Sequence, residues 1–330
     1  VIEIVETGPL NTVQDMGRPG YRNIGVTACG AMDPLALEIG NILLGNPEGA
    51  AVIEVQTFPF RLLFTKRGAF AVTGADCRAK LDGVALAPWW AGEAEPGQVL
   101  ELFPPLRDAR AYVSLSGGVD VAPVMGSRST SLRGSFGGLG GRVLAVGDSI
   151  ATGAVQPAAV PKGGFGAVPP AVALKDVFPV GENGELVIRA LPAGEHDLFG
   201  ADAERFWSQP WKISARSDRT GYRLSGDPIH PVEVVEMRSH GVVPGVIQVP
   251  PAGEPIVQMS DANTAGGYPK IAGIIEADLW RMGQARIGST LRFVPATHAE
   301  AKGIEKALAT YVDDIRQTAR LVGKALAAMA

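Results

Sequence analysis

The densest gathering of reactive side chains lies between residues 240 and 271. Two short apolar runs, Val246 to Val249 and Pro255 to Met259, are separated by Pro250, Pro251 and Gly253, a pattern that predicts a hairpin-like strand pair. The second run feeds a polar loop, Ser260 to Pro269, which carries Asp261, Asn263, Thr264, Gly266 and Gly267 and leads directly into Lys270. Adjacent glycines let backbone N–H groups approach a ligand closely, because no Cβ stands in the way. An ammonium beside those donors makes a site for an anion or a polarised carbonyl. In that arrangement Gly266, Gly267 and Lys270 hold developing negative charge, while Asp261 orients water or accepts a proton. His240, Gln248, Asn263, Thr264 and Tyr268 join them as substrate-binding candidates. The plainer reading gives the two glycines positive φ in a turn and leaves Lys270 solvated.

Two further polar turns precede this stretch. Gln14-Asp15-Met16-Gly17-Arg18 packs an amide, a carboxylate and a guanidinium between glycines; alone it reads as a surface turn of fixed shape. Arg216-Ser217-Asp218-Arg219-Thr220-Gly221 is the second. Arg18, Arg216 and Arg219 can each grip a carboxylate or phosphate through paired donors, and Gln14 and Asp15 are grouped with them as substrate-binding candidates. Residues 125–141 are rich in glycine and hydroxyls, with Arg128 and Arg133 among them. They lack both the G-x-x-x-x-G-K-[ST] and the G-x-G-x-x-G patterns, so no conventional nucleotide loop is expected.

The elements that must position these groups are short strands. Glycine (42) and proline (25) are abundant and charged residues few (19%), a balance that favours strands joined by many turns. Runs at Ala51 to Val55, Phe58 to Phe64, Ala69 to Thr73, Val84 to Ala87, Val99 to Phe103 and Ala111 to Leu115 fit this spacing. Asp33-Pro34 opens a helix ending at Gly45-Asn46-Pro47, with Asp33 as N-cap. An Ala/Pro/Gly-rich connection spans 147–170, and the pattern restarts with strands at Glu185 to Ala190, Trp211 to Ala215 and Leu291 to Val294. Ala201 to Trp207 reads as a short helix. Gly20-Tyr21-Arg22 and Gly221-Tyr222-Arg223 hint at a duplicated β fold. From Thr297 a capping box with Glu300 opens a long helix whose apolar residues Ile304, Leu308, Tyr311 and Ile315 form one stripe. That stripe faces the β structure or another chain.

At 330 residues the chain has room for two domains, and its 46% hydrophobic content marks it as globular. A net charge of −4 with scattered basic residues gives no sign of nucleic-acid binding or a polybasic membrane contact. Cys29 and Cys77 lie far apart and the four histidines form no close pair, so a reduced, cytoplasmic protein without a metal site is expected. Neither a membrane span nor a signal peptide is apparent.

Taken together, Gln14-Asp15-x-Gly17-Arg18-x-Gly20, Gly30-x-Met32-Asp33, Asn41-x-Leu43-x-Gly45-Asn46, Ser217-Asp218-Arg219-x-Gly221-Tyr222-Arg223-Leu224, Gly245-x-Ile247-Gln248-Val249-Pro250 and Gly266-Gly267-Tyr268-Pro269-Lys270-Ile271-Ala272 closely resemble one family. It is the family of the 5-oxoprolinase C subunit, also called allophanate hydrolase subunit 2 or urea-amidolyase-related biotin-dependent carboxyltransferase domain proteins. The resemblance implies a mainly β protein with two cyclophilin-like β-barrel domains and a C-terminal α-helix. The corresponding boundaries are 1–165 and 166–296 for the barrels and 297–330 for the helix. It implies an ATP-dependent lactam hydrolase subunit that opens 5-oxoproline to glutamate with a subunit-1 family protein and a lactam-utilisation protein, ATP being shared with or bound by a partner. Within the same resemblance lie a biotin-dependent carboxyltransferase acting on urea or a related amide, and a non-catalytic regulatory subunit. No lysine here sits in a biotin-carrier context, so biotin would arrive on another chain. The family usually has Asn where this chain has Asp218, and Thr where it has Ala265. The first difference sets an anion next to Arg219 in sequence.

Overall fold

The computed structural model describes residues 1–154, 160–182 and 184–328. The predicted 147–170 connection and the last two residues of the 297–330 segment therefore fall partly outside the described residues. The chain forms two compact units. One comprises Val1–Arg18, Cys29–Ala173 and Thr310–Ala330; the other comprises Pro19–Ala28 and Leu174–Ala309. This differs from a division at 165 and 296, because a ten-residue excursion after Arg18 and the helix from Thr310 onward each join the unit remote in sequence.

The first unit holds two six-stranded sheets. One sheet runs in the order Ser149–Ile150, Ile2–Glu6, Phe60–Phe64, Val99–Leu102, Lys80–Leu81, Val84–Ala85. The other runs Phe165–Gly166, Trp90–Ala94, Gly68–Asp76, Arg107–Leu115, Val52–Val55, Thr12–Gln14. Alternate residues of each strand point inward, so Ile2, Ile4, Phe60, Leu62 and Phe64 of one sheet share a core with Ile53, Val55, Phe70, Val72, Val113 and Leu115 of the other. Helix Pro34–Leu44 covers the outer face of the second sheet. Asp33 caps it by accepting from the Ala36 N–H at 2.9 Å. Gly40 permits the close approach, since a Cβ there would lie 2.4 Å from Ser114 Oγ. A buried chain of hydrogen bonds holds the helix start: Asp33 N–H donates to Tyr112 Oη, and Tyr112 donates to Glu54, each at 2.8 Å. Burial, with Glu54 and Asp33 nearby, raises the Tyr112 phenol well above its ordinary value. Both cysteines are buried.

The second unit is a closed seven-stranded barrel. Around it lie Leu186–Pro192, Lys270–Ile274, Val246–Gln248, Ile256–Gln258, Gly221–Ser225, Trp211–Ile213 and Thr290–Pro295. The first and last of these are parallel and close the ring; the other neighbours are antiparallel. Trp211, Tyr222, Leu224, Ile247, Val257 and Phe293 fill the interior. The hairpin expected at 246–259 is present, with Ile247 opposite Val257. Helix Glu276–Gln284 is not apparent from the sequence pattern; its Asp278 is buried and takes a bidentate grip from Arg189 at 2.7 and 2.9 Å. The two Gly-Tyr-Arg triplets are not structural equivalents. The first leads into a 3-10 turn at Arg22–Ile24, the second begins a barrel strand, and a three-residue match carries no periodicity that could enforce a common fold.

Helix His298–Ala327 opens on the expected capping box, with Thr297 N–H to Glu300 Oε2 at 2.7 Å and Glu300 N–H to Thr297 Oγ1 at 3.2 Å. Within the first unit its later turns are anchored by Tyr311, whose hydroxyl donates to the Val168 carbonyl at 2.6 Å, and by Arg316 on Glu48 at 2.6 and 3.0 Å. Glu38 shares that anchor at 3.5 Å, and burial followed by the repulsion of Glu48 pushes its carboxyl above the usual range. Earlier in the helix, Ile304 and Leu308 of the stripe pack against Ile275, Ala277 and Ala301.

Candidate functional site

In the second unit the side chain of Lys270 is held on two sides. Lys270 begins the strand Lys270–Ile274, and its N–H donates to Glu195 Oε2 at 3.1 Å. Its Nζ lies 3.3 Å from the other oxygen of the same carboxylate and donates to His240 Nε2. His240 reaches that position because His240–Gly241 pairs with Ala265–Gly266 as a small ribbon, His240 opposite Gly266. The imidazole Nδ1 lies 3.1 Å from the Arg238 carbonyl. A carbonyl only accepts, so Nδ1 carries the proton and Nε2 presents its lone pair to the ammonium. The Lys270 and Glu195 side chains are 19% and 20% exposed, so the group is neither sealed nor solvated.

Neither Gly266 nor Gly267 has positive φ, so a turn requirement does not explain them. Close packing does. A Cβ on Gly266 would stand 2.9 Å from Gln248 Nε2, and one on Gly267 would stand 3.0 Å from the Met237 carbonyl oxygen. The Gln248 amide donates to the Tyr268 carbonyl and accepts from Gln258 Nε2, both at 3.1 Å. Two buried glutamines thus hold the Tyr268 carbonyl, two residues beyond Gly266.

Asp261 and Arg219 hold each other. The guanidinium Nε and Nη2 each lie 3.0 Å from a separate Asp261 oxygen, and the Asp261 N–H donates to the Arg219 carbonyl at 2.9 Å. The sequence suggests that Asp261 handles water or a proton and that Arg219 grips substrate; in the fold the two form a largely buried pair that braces the loop. Asp218 closes its own turn, its Oδ1 accepting from Thr220 N–H at 2.7 Å and Gly221 N–H at 3.2 Å. Arg216 makes an exposed pair with Glu254 at 2.7 Å. Asn263 and Thr264 enter through their carbonyls, which accept from Arg22 at 2.9 Å and from Val242 N–H at 3.2 Å. Tyr268 is largely exposed. Arg22 Nη2 also donates to the Val242 carbonyl, tying the 19–28 excursion to the ribbon, while its Nη1 is buried without a partner. Burial lowers the Arg22 guanidinium from its ordinary value.

Gln14, Asp15 and Arg18 lie in the first unit and form a different kind of cluster. Asp15 Oδ1 accepts from Gly17 N–H at 2.8 Å and from the Ser127 and Ser129 hydroxyls at 2.6 Å each; Oδ2 accepts from Arg128 N–H at 2.5 Å. Arg18 is 1% exposed, donates to the Ser129 and Val124 carbonyls and lies over the Phe136 ring at 4.9 Å. Gln14 donates to Thr12 Oγ1 at 3.0 Å and to the Thr130 carbonyl at 3.3 Å from the end of a buried edge strand. This segment is buried architecture, not the surface turn it resembles in isolation.

Residues 24–295 match the carboxyltransferase domain, subdomain A and B, family. The chain belongs to this family. It is 41% identical to the C subunit of 5-oxoprolinase from Escherichia coli over 91% of this chain and 93% of that protein. It is 37% identical to the C subunit of 5-oxoprolinase from Haemophilus influenzae over 96% and 98% of the two chains. The crystal structure of Kluyveromyces lactis urea amidolyase matches 95% of this chain with a TM-score of 0.83 at 27% identity. The chain spans only 20% of that larger protein. These relatives are named as components of enzymes. Among the described residues, no helix is long and apolar enough to cross a membrane.

Three participants carry no signal of their role in the sequence. Glu195 lies 75 residues from Lys270 in an unremarkable Ala-Gly-Glu-His turn. Gln258 reads as a strand residue. Arg22 stands out only as part of a short repeat.

Proposed function

We propose that the chain is a subunit of an ATP-dependent 5-oxoprolinase, working with a subunit-1 family partner and a lactam-utilisation protein to open 5-oxoproline to glutamate. The observation that carries this reading is the Lys270 ammonium, half-buried beside the Gly266 ribbon with one N–H each committed to Glu195 and His240. A lactam carbonyl oxygen gains negative charge as its carbon is attacked, and a preorganised ammonium in a partly dehydrated site stabilises that charge. Near end-to-end similarity to two proteins named as the C subunit of 5-oxoprolinase favours the lactam over urea, since urea amidolyase contains the matched region as a minor part of a much longer chain.

The glycine-rich segment at 125–141 does not fit a nucleotide cradle. In the glycine-rich segment the Gly138 N–H is spent on the Arg128 carbonyl and the Gly141 N–H on the Gly137 carbonyl. Arg128 itself donates to Val121 at 2.9 Å. We infer that ATP is shared with or bound by a partner subunit. The second reading, carboxyl transfer from biotin carried on another chain to urea or a related amide, draws support from the family and from the urea amidolyase likeness. The same ammonium would then polarise a ureido oxygen.

Reconstitution separates the two. The chain combined with its partner subunits is expected to give 5-oxoproline-dependent ATP hydrolysis with glutamate formed, and none when this chain is omitted. Urea-dependent turnover requiring a biotinylated partner would overturn the lactam reading in favour of the carboxyltransferase. Activity that persists without this chain would instead point to a regulatory subunit.

A further inference from the structure

An ammonium has three N–H donors and no acceptor. In Lys270 one is directed to Glu195 Oε1 and one to His240 Nε2, and each acceptor is itself held. Glu195 is fixed because its second oxygen receives the Lys270 backbone N–H, so carboxylate and ammonium are tied at both ends of one residue. His240 is fixed because its Nδ1–H is spent on the Arg238 carbonyl, which leaves Nε2 as an acceptor. With two donors pinned, tetrahedral geometry fixes the direction of the third.

We propose that Glu195 and His240 are positioning residues that set the direction of the Lys270 ammonium, reserving its third N–H for the oxygen of an amide-type ligand. The ligand part rests on the functional reading above; the coupling between Glu195 and Lys270 does not. Glu195 supplies a charged acceptor 3.3 Å from the ammonium, the stronger kind of hydrogen-bond partner. His240 supplies direction through the Nε2 lone pair, its Nδ1–H being spent on the Arg238 carbonyl. The direction of the ammonium therefore needs the carboxylate and the ring together.

The test is Glu195→Gln in the full-length chain. Glutamine keeps the length and an oxygen for the Lys270 N–H, so the turn is preserved while the charge is removed. Acylation of Lys270 by acetic anhydride, followed by mass spectrometry with exposed Lys302 of the same chain as reference, reads how firmly the amine is held by its acceptors. Glu195→Gln weakens one of the two contacts that hold the amine and is expected to speed Lys270 labelling by about three- to tenfold at fixed pH. In the enzyme assembled with its partners, the same variant is expected to lower kcat by about tenfold with KM within about twofold, the signature of an interaction made in the transition state. Unchanged labelling overturns the inference, as does changed labelling with unchanged kcat while Lys270→Ala remains inactive. If Lys270→Ala is fully active although labelling responds to Glu195→Gln, the functional reading of the site falls and the Glu195–Lys270 coupling stands.

Discussion

Asp15 and Lys270 are both charged side chains next to glycines in polar stretches, and the protein uses them in opposite ways. Asp15 is buried and accepts from four donors, two backbone N–H groups and two serine hydroxyls, which fasten the 127–129 segment to the start of the chain. Lys270 is half-open and has committed two of its three donors. A charge whose hydrogen-bonding capacity is used up inside the fold is a fastener. One that keeps a donor at a partly open position is equipped to meet a ligand. Residue type and spacing do not distinguish these cases; counting donors and acceptors does.

Substitutions at the two positions should therefore separate stability from activity. Asp15→Ala leaves four donors without an acceptor and is expected to cost about 3–5 kcal/mol of stability, read from denaturant unfolding. A loss below about 1 kcal/mol would break the contrast by showing Asp15 dispensable to the fold. Lys270→Ala is expected to lower kcat of the assembled enzyme by about a hundredfold or more while its unfolding midpoint moves little. Arg219→Lys loses the bidentate geometry and is expected to cost about 1–3 kcal/mol, placing Asp261 on the fastener side of the comparison. A purely kinetic defect there would return Asp261 to the chemistry.

A smaller effect is expected in alkali. Burial pushes the Cys77 thiol up from about 9 to about 12, so in the fold it stays protonated where an unfolded chain would ionise. Its contribution to stability is present below about pH 9 and is lost as pH rises toward about 12. Tyr112, also raised by burial, steepens the loss above its ordinary range. Thermal unfolding between pH 8 and 11 should show a downward slope that is shallower in Cys77→Ala, even though the variant begins less stable.

Much of the framework is legible in the sequence because local physics dictates it. Asp33-Pro34 starts a helix because the side chain accepts an orphan N–H and proline needs none, and Thr297 with Glu300 does the same by reciprocal bonds. The 246–259 hairpin follows from two apolar runs around Pro-Pro and Gly. Lys270 and His240 both stand among the candidates, but their partnership is not visible, since the ribbon that brings them together pairs two-residue strands too short for any alternation to show. Glu195 carries no signal at all: its role is defined only once the barrel places its turn beside the start of a strand far along the chain. Gln14, Asp15 and Arg18 read as candidates for chemistry because polar residues between glycines look alike whether they face solvent or a protein interior. The glycines at 266 and 267 suggest a positive φ, whereas their cause is contact with Gln248 and the Met237 carbonyl.

The paired glutamines carry one more consequence. Because Gln258 donates into Gln248 and Gln248 donates onward to Tyr268, the amides run in a fixed sense and neither can be turned over without setting like against like. Deamidation of Gln248 to glutamate would place a carboxylate oxygen against the Tyr268 carbonyl, reversing the polarity of the barrel edge that supports Gly266. One atom exchanged by slow chemical ageing would thus disarm this face while leaving the barrel closed.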